Sequence, residues 1–208
     1  MMEALETVKL NLGCGGRPIA GYTNIDQDSL DDMKVRYPHQ VFNDDLKIFQ
    51  YDIFDLPFED NSVDEVRAES FIEHLCFMDE KKLFLEVKRI LKKDGVFRWS
   101  VPDFEDAVKI WLAAKDDWKE FYRDDDEAIK SEHWFGNYSY STENRWGYLT
   151  AMIFGSQNGE GQYHQNAYTE GKVNAMMKYL GFEVTELSKF KWKGKRDLML
   201  KIEARKLS

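Results

Sequence analysis

Leu10-Asn11-Leu12-Gly13-Cys14-Gly15-Gly16 is the stretch that decides the architecture. From Val8 to Leu12 apolar and polar residues alternate at strand length, and the run stops abruptly at Gly13. Glycines at the end of a strand let the main chain approach a ligand closely and leave backbone N–H groups facing a crevice. The residues that follow repeat the design with acids. Tyr22 to Ile25 reads as a second strand closed by Asp26, Ile48 to Tyr51 as a third closed by Asp52, and Val63 to Ala68 as a fourth closed by Glu69.

A helix is expected next, with Asp79 as N-cap and Leu83, Val87, Ile90 and Leu91 as its apolar stripe. Lys92-Lys93-Asp94-Gly95 would close it before a fifth strand, Val96 to Val101, stopped by Pro102. Residues 105–130 read as helical, and Thr169 to Leu180 as a further helix closed by Gly181. Phe182 to Leu187 and Asp197 to Ala204 lie too close for a parallel crossover, so they are expected to form an antiparallel hairpin joined by the basic loop Lys189 to Arg196. Strands alternating with helices predict an α/β fold, a mostly parallel sheet covered on both faces, with ligands bound beyond the carboxyl ends of its strands.

Residues 131–168 break the rhythm. They are rich in Gly, Asn, Ser and Gln, yet carry Trp134, Phe135, Tyr138, Tyr140, Trp146, Tyr148, Phe154, Tyr163 and Tyr168. A long aromatic loop inside a compact domain reads as a lid or substrate-pocket insertion, with a short helix at 146–154, or as a second hydrophobic cluster over a sheet edge.

Composition bounds the rest. The 208 residues, 43% hydrophobic and 32% charged, fit one globular domain spanning 1–208. Thirty-eight acidic residues against twenty-nine basic give a formal net charge of −9, which disfavours a nucleic-acid partner. No window approaches the ~18 uncharged apolar residues of a membrane span, and Cys14 and Cys76 have neither the spacing of a zinc site nor that of a disulfide framework. A reducing, cytoplasmic setting without membrane insertion or a bound metal is expected.

The acids suggest a nucleotide. Asp26 can accept both hydroxyls of a ribose, and Asp52 is well placed for an adenine amino group. A nicotinamide dinucleotide wants G-x-G-x-x-G and an acid about 20 residues on, within a ~30-residue βαβ unit. Here Pro18 stands where the third glycine belongs, and Asp26 arrives too early for a full crossover helix. S-adenosylmethionine carries no pyrophosphate and needs no such helix end.

Residues 8–102 resemble a class I S-adenosylmethionine-dependent methyltransferase. Leu10 to Gly16 is similar to the family's first motif, Asp26 to its ribose acid, and Tyr51 to Asp64 (Asp55-Leu56-Pro57-Phe58-Glu59-Asp60-Asn61-Ser62-Val63-Asp64) to a block of its small-molecule branch. Lys88 to Gly95 resembles its helix-to-strand segment. The short Arg17-to-Asp26 connection departs from the usual pattern. With Gly155 to Gly171, it resembles a bacterial and phage group associated with surface polysaccharide biosynthesis. The resemblance implies a Rossmann-like seven-stranded sheet. It also implies a cofactor shell of Leu12, Gly13, Cys14, Gly15, Asp26, Asp52, Ile53 and Glu69. Gly13 and Gly15 would lie under the methionine part, Asp26 would hold the ribose, and Asp52 with the Ile53 backbone would read the adenine. Cys14 is explained by its small size.

Methyl transfer from a sulfonium is an in-line displacement, helped by positioning and desolvation and, for an alcohol, by a proton acceptor. Candidates follow the fourth strand in Glu69-Ser70-Phe71-Ile72-Glu73-His74. His74 is read as base or substrate contact, as a cofactor-pocket wall, or as a helix cap. Glu73 is read as base or as a helix N-terminal charge, and His164 as substrate contact or packing. His133 is a weaker candidate, and His39 reads as surface. Trp134, Tyr138 and Trp146 could line a sulfonium or sugar site or simply pack. The basic loop is either a solvated hairpin or a contact for a phosphorylated or sugar-nucleotide acceptor. The expected activity is O-methylation of a small-molecule or glycan-type acceptor; a non-catalytic S-adenosylmethionine-binding module or partner subunit is the rival reading, and a nicotinamide oxidoreductase the weaker one.

Overall fold

A computed structural model describes residues 7–36, 40–117, 145–146, 148–155, 157, 161–191 and 197–208. Its sheet has seven strands: β1 (Lys9–Leu12), β2 (Thr23–Ile25), β3 (Ile48–Phe49), β4 (Val63–Glu69), β5 (Leu91–Pro102), β6 (Phe182–Lys191) and β7 (Asp197–Lys206). They lie in the order β3-β2-β1-β4-β5-β7-β6. The first five run parallel, while β7 is antiparallel to both β5 and β6. The hairpin at the end of the chain is therefore as expected, although Lys189 to Lys191 belong to β6 rather than to a loop. Trp192 to Arg196 lie outside the described residues.

Helices join the strands: α1 (Leu30–Arg36), α2 (Phe77–Ile90), α3 (Phe104–Ala113), α4 (Tyr148–Phe154) and α5 (Glu170–Leu180). The α2 boundaries differ from the expected ones. Cys76 is the N-cap, and Asp79 sits in the first turn, where a carboxylate suits the positive helix end. At the other end Leu91 is already extended and pairs with Val63, so β5 begins without a loop; Asp94, at φ +63°, belongs to the strand's irregular start. α5 follows expectation, with the Thr169 side chain accepting from the Lys172 N–H and Gly181 left-handed at φ +80°. α3 is shorter than expected: Asp103 caps it and Ala114 ends it, while 118–130 lie outside the described residues.

The main core lies between the sheet and the pair α2 and α5. Leu83, Phe84, Val87 and Ile90 of α2 and Val173 and Met177 of α5 are buried with Leu10, Val66, Ala68, Phe97 and Trp99. Phe84 meets Phe97 edge-on at 5.6 Å and Trp99 at 5.4 Å, and Trp99 meets Tyr168 at 5.5 Å. Part of the core is thus Tyr168, the last residue of the expected lid. A second cluster joins Ala107 of α3, Leu149 and Met152 of α4, and Leu198 and Met199 of β7. The short helix expected near 146–154 is α4, and its inner side packs against the start of β7.

The opposite side of the central strands is only partly covered by the described residues. Glu65, Arg67 and Glu69 of β4, Arg98 of β5, and Lys201 and Glu203 of β7 line an open concavity of about 460 Å³ with Tyr22. Arg98 is ion-paired with both Glu65 and Glu203, and Arg67 with Glu69. The reason is local: the ten residues from Gly13 to Tyr22 turn through Ile19 and Tyr22 straight into β2, with no crossover helix. Among the described residues, no helix is long and apolar enough to cross a membrane.

Candidate active site

The sheet order reverses between β1 and β4, and ligands of open α/β sheets bind beyond the strand carboxyl ends at such a switch. Two segments leave the sheet there: the glycine turn after β1 and Ser70–His74 after β4. They are packed against each other. Gly13 adopts φ +58°, and a methyl group on it would run into the Phe71 ring. Gly15 adopts φ +50°, again a conformation that suits glycine.

The ribose candidate is tied to this turn. One carboxylate oxygen of Asp26 accepts the Gly15 N–H at 2.8 Å and the other accepts the Asp28 N–H at 3.2 Å. The Asp26 N–H bonds to the Phe49 carbonyl and the Cys14 N–H to the Ile25 carbonyl, each at 3.1 Å, so the ends of β1, β2 and β3 are stitched together. Burial pushes the Asp26 carboxyl upward, and the backbone N–H groups of Gly15 and Asp28 oppose that push. Asp52 is exposed and forms an Asx turn with the Phe54 N–H at 2.9 Å; Ile53 beside it is half-buried against the core.

Three further cofactor candidates differ in character. Leu12 is fully buried, so only its main chain can face a ligand. Cys14 is also buried, and desolvation, helped by the Asp26 charge, pushes its thiol up to about 12. It is therefore a neutral packing group. Glu69 is exposed, pairs with Arg67 and lines the charged concavity.

The second segment carries the titratable groups. A short 3₁₀ turn, Ile72–His74, follows Phe71, and the His74 N–H bonds back to the Phe71 carbonyl at 3.0 Å. The chain on the far side comes from residues 163–166. The N–H groups of Gln165 and Asn166 reach the Glu73 carbonyl at 2.9 and 3.2 Å, and the Gln165 side-chain amide reaches the His74 carbonyl at 2.9 Å. This clasp brings His164 to His74, with ring centroids 5.0 Å apart in an edge-on contact. His164, ninety residues away in sequence, thus joins Glu73 and His74 in one cluster.

Their protonation follows from their partners. Nδ1 of His74 stands 3.0 Å from the Tyr163 carbonyl, and Nδ1 of His164 stands 3.1 Å from the Met152 carbonyl. A carbonyl only accepts, so each Nδ1 carries the hydrogen and each Nε2 the lone pair. Burial holds both imidazoles below their ordinary value, His164 at about 4, where the neighbouring His74 adds to the effect. Glu73 is 2% exposed, and desolvation raises its carboxyl to about 8. The helix-charge reading of Glu73 does not hold, because it lies in the 3₁₀ turn ahead of α2 and is buried.

His39, His133, Trp134 and Tyr138 lie outside the described residues. Trp146 packs edge-on against Trp111 at 6.2 Å and donates to Asp116 at 2.7 Å, so it is a packing residue of the α3 end. Lys189, the first residue of the expected basic loop, is held by Asp103 at 2.7 Å and by Asp106. Tyr168 is read from sequence only as one aromatic of the insertion, and the Glu80–Lys172 pair that holds it carries no local sequence signal. The Tyr168 hydroxyl donates to Glu80 at 2.6 Å and Lys172 reaches the same oxygen at 2.8 Å, bracing the 163–168 segment.

With that geometry in place, comparison with known proteins decides the class. Residues 10–98 match the methyltransferase domain family. Over those residues the chain carries a methyltransferase domain. None of the curated proteins matches the sequence. Solved structures share the fold. An S-adenosylmethionine-dependent methyltransferase from Methanosarcina mazei is 17% identical with a TM-score of 0.58, covering 98% of this chain and 94% of that one. One from Clostridium acetobutylicum is 16% identical with a TM-score of 0.54, covering 98% and 85%. The Burkholderia thailandensis 1,6-didemethyltoxoflavin-N1-methyltransferase, solved with S-adenosylhomocysteine, is 12% identical with a TM-score of 0.55, covering 97% and 71%. S-adenosylmethionine is the cofactor of the domain. The residues at the crevice fit it: open space beside Gly15, where a Cβ would meet nothing within 4 Å, and a half-buried carboxylate, Asp26, at the end of β2.

Proposed function

We propose that the chain transfers a methyl group from S-adenosylmethionine to an oxygen of a small-molecule or glycan-type acceptor. The observation that carries this reading is the Glu73–His74–His164 cluster, one short turn beyond the Phe71 ring that touches the glycine turn. In it Gly13 and Gly15 admit the methionine part, Asp26 accepts from the ribose hydroxyls, and Asp52 with the Ile53 backbone reads the adenine. Leu12 and Cys14 contribute main chain.

His74 is the proton acceptor. It is neutral at physiological pH, with its Nδ1 hydrogen fixed and a lone pair on Nε2. The acceptor oxygen attacks the methyl carbon, the C–S bond breaks with its electron pair going to sulfur, and the hydroxyl proton passes to His74. Glu73 and His164 orient the acceptor. The 131–168 segment serves as the substrate-pocket insertion, a role supported by the clasp of residues 163–166 over Glu73 and His74. The resemblance to the polysaccharide-associated group supports a sugar acceptor, and the two free cysteines support a cytoplasmic setting.

The test is a calorimetric titration with S-adenosylhomocysteine, with NADH as control, followed by a radiolabel transfer screen over sugars and nucleotide sugars. Micromolar binding of the former alone and labelling of a hydroxyl acceptor are expected. Binding without turnover of any acceptor class would favour a non-catalytic binding module instead.

A further inference from the structure

Glu73, His74 and His164 each offer one ligand-type atom, and these three atoms lie within 4.8 Å of one another. Two observations set this cluster apart from ordinary packing. Glu73 is 2% exposed, yet among the described residues its Oε2 has no hydrogen-bond partner. A buried carboxylate oxygen without a donor is costly, which raises the question of what it faces. Both imidazoles, moreover, present Nδ1–H to a backbone carbonyl, of Tyr163 and of Met152. That is the arrangement by which proteins fix a histidine for coordination through its other nitrogen.

We propose that Glu73, His74 and His164 ligate one divalent transition cation, of the zinc or manganese(II) kind, with its remaining positions open to oxygens of the acceptor. Two imidazoles and one carboxylate form a mixed nitrogen and oxygen set, which suits such ions better than the all-oxygen demand of magnesium or calcium. Three protein ligands leave at least one open position, the arrangement of catalytic rather than structural sites. Ligand atoms at ~2.0–2.2 Å from a common ion stand at most about 4.4 Å apart, so the cluster needs only a small rotamer closure to bind.

The site rests on the methyl-transfer reading for its role and replaces direct proton transfer to His74, whose single Nε2 lone pair the cation would occupy. A hydroxyl bound to the cation loses its proton more readily, and a second hydroxyl on the same ion would fix the acceptor's orientation. The O–H bond breaks with its proton passing to solvent water. The alkoxide attacks the methyl carbon, and the C–S electron pair returns to sulfur. The cation supplies acidity without needing the acceptor hydroxyl and a free His74 to meet directly.

The experiment strips the full chain with EDTA, then titrates it with Zn²⁺, Mn²⁺ and Mg²⁺ by calorimetry, alongside His164→Ala, His164→Gln, Glu73→Gln and Cys76→Ser. Cys76→Ser controls for zinc on the thiol that donates to Asp79. The expected result is one equivalent of Zn²⁺ or Mn²⁺ per chain and weaker Mg²⁺. Affinity should fall by ~10–100-fold or more in the His164 and Glu73 variants and stay unchanged in Cys76→Ser. Circular-dichroism melts of the stripped variants establish that each is folded. Absence of stoichiometric binding, or binding indifferent to both His164→Gln and Glu73→Gln, overturns the site. S-adenosylhomocysteine titration of the same stripped protein separates the two readings: intact cofactor binding with no metal binding removes only the cation, while loss of cofactor binding strikes the methyltransferase reading itself.

Discussion

Asp26 holds the Gly15 N–H at 2.8 Å, so the acid that ends β2 also closes the glycine turn that ends β1. One carboxylate therefore shapes the turn with one oxygen and holds the Asp28 N–H with the other. Asp26→Ala removes both roles and should weaken S-adenosylhomocysteine binding by ~1–3 kcal/mol, the range for a hydrogen-bonded charged group. Asp26→Asn keeps an acceptor for Gly15 but not two acceptors for a ribose, and should fall between wild type and Asp26→Ala. Calorimetry decides it, and an unchanged affinity in Asp26→Ala would remove the ribose assignment.

Gly13 faces a double constraint, a positive φ and the Phe71 ring where its Cβ would lie. Gly13→Ala should destabilise the fold by roughly 1–2 kcal/mol from the backbone alone, plus the cost of displacing the ring. Phe71→Ala in the same chain relieves the collision but not the φ strain. Urea denaturation of the four-member cycle should show the double variant more stable than the sum of its singles predicts. Additive losses would mean that the turn and the Phe71 segment are energetically independent.

Much of this was legible because it is local. The alternation of Val8 to Leu12, the glycines that stop it, and the Thr169 and Gly181 caps of α5 each need only neighbouring residues to be read. Asp26 and Glu69 were legible as strand-end acids for the same reason. What the sequence could not show is long-range. His164 meets His74 only because residues 163–166 fold back onto the 3₁₀ turn, and Glu73 reads as a helix charge until that fold buries it. Asp79 has the chemistry of an N-cap, but the chain starts α2 three residues earlier, at Cys76. β3 pairs over Ile48–Phe49 alone, shorter than its apolar run, and α1, with only Met33 buried, has too slight an apolar stripe to be read.

The Lys189 contacts make a statement about pH. The Lys189 hydrogen bond holds the Asp106 carboxyl below its ordinary value, and Asp103 and Asp106 together raise the Lys189 amine. A depressed carboxyl stabilises the fold above its unfolded value near ~4 and loses that contribution as acid carries the pH through the folded value. A raised amine stabilises below ~10.4 and loses it only as the pH climbs through a still higher folded value. The pair thus acts across the whole range between, with a net worth of about 1 kcal/mol or less because both side chains are a third exposed. Lys189→Met should lower the melting temperature at pH 7, with the difference from wild type shrinking towards pH 3. A constant difference across that range would mean that the loss is one of packing.

His74 is the residue on which the chemical reading turns. Its Nδ1 hydrogen is fixed on the Tyr163 carbonyl, and its ring lies against His164, neither of which belongs to the proposed cofactor shell. His74→Ala should therefore leave S-adenosylhomocysteine affinity within a few-fold while cutting turnover by ~10²–10⁴-fold, the usual worth of a positioned proton acceptor. His74→Gln keeps a donor for the Tyr163 carbonyl but no basic nitrogen, so it should rescue the position of the 163–166 clasp without rescuing turnover. Single-turnover methyl transfer at saturating cofactor isolates the chemical step from product release. Full activity in His74→Gln would assign the residue to holding the clasp, and the proton would then have to leave by another route.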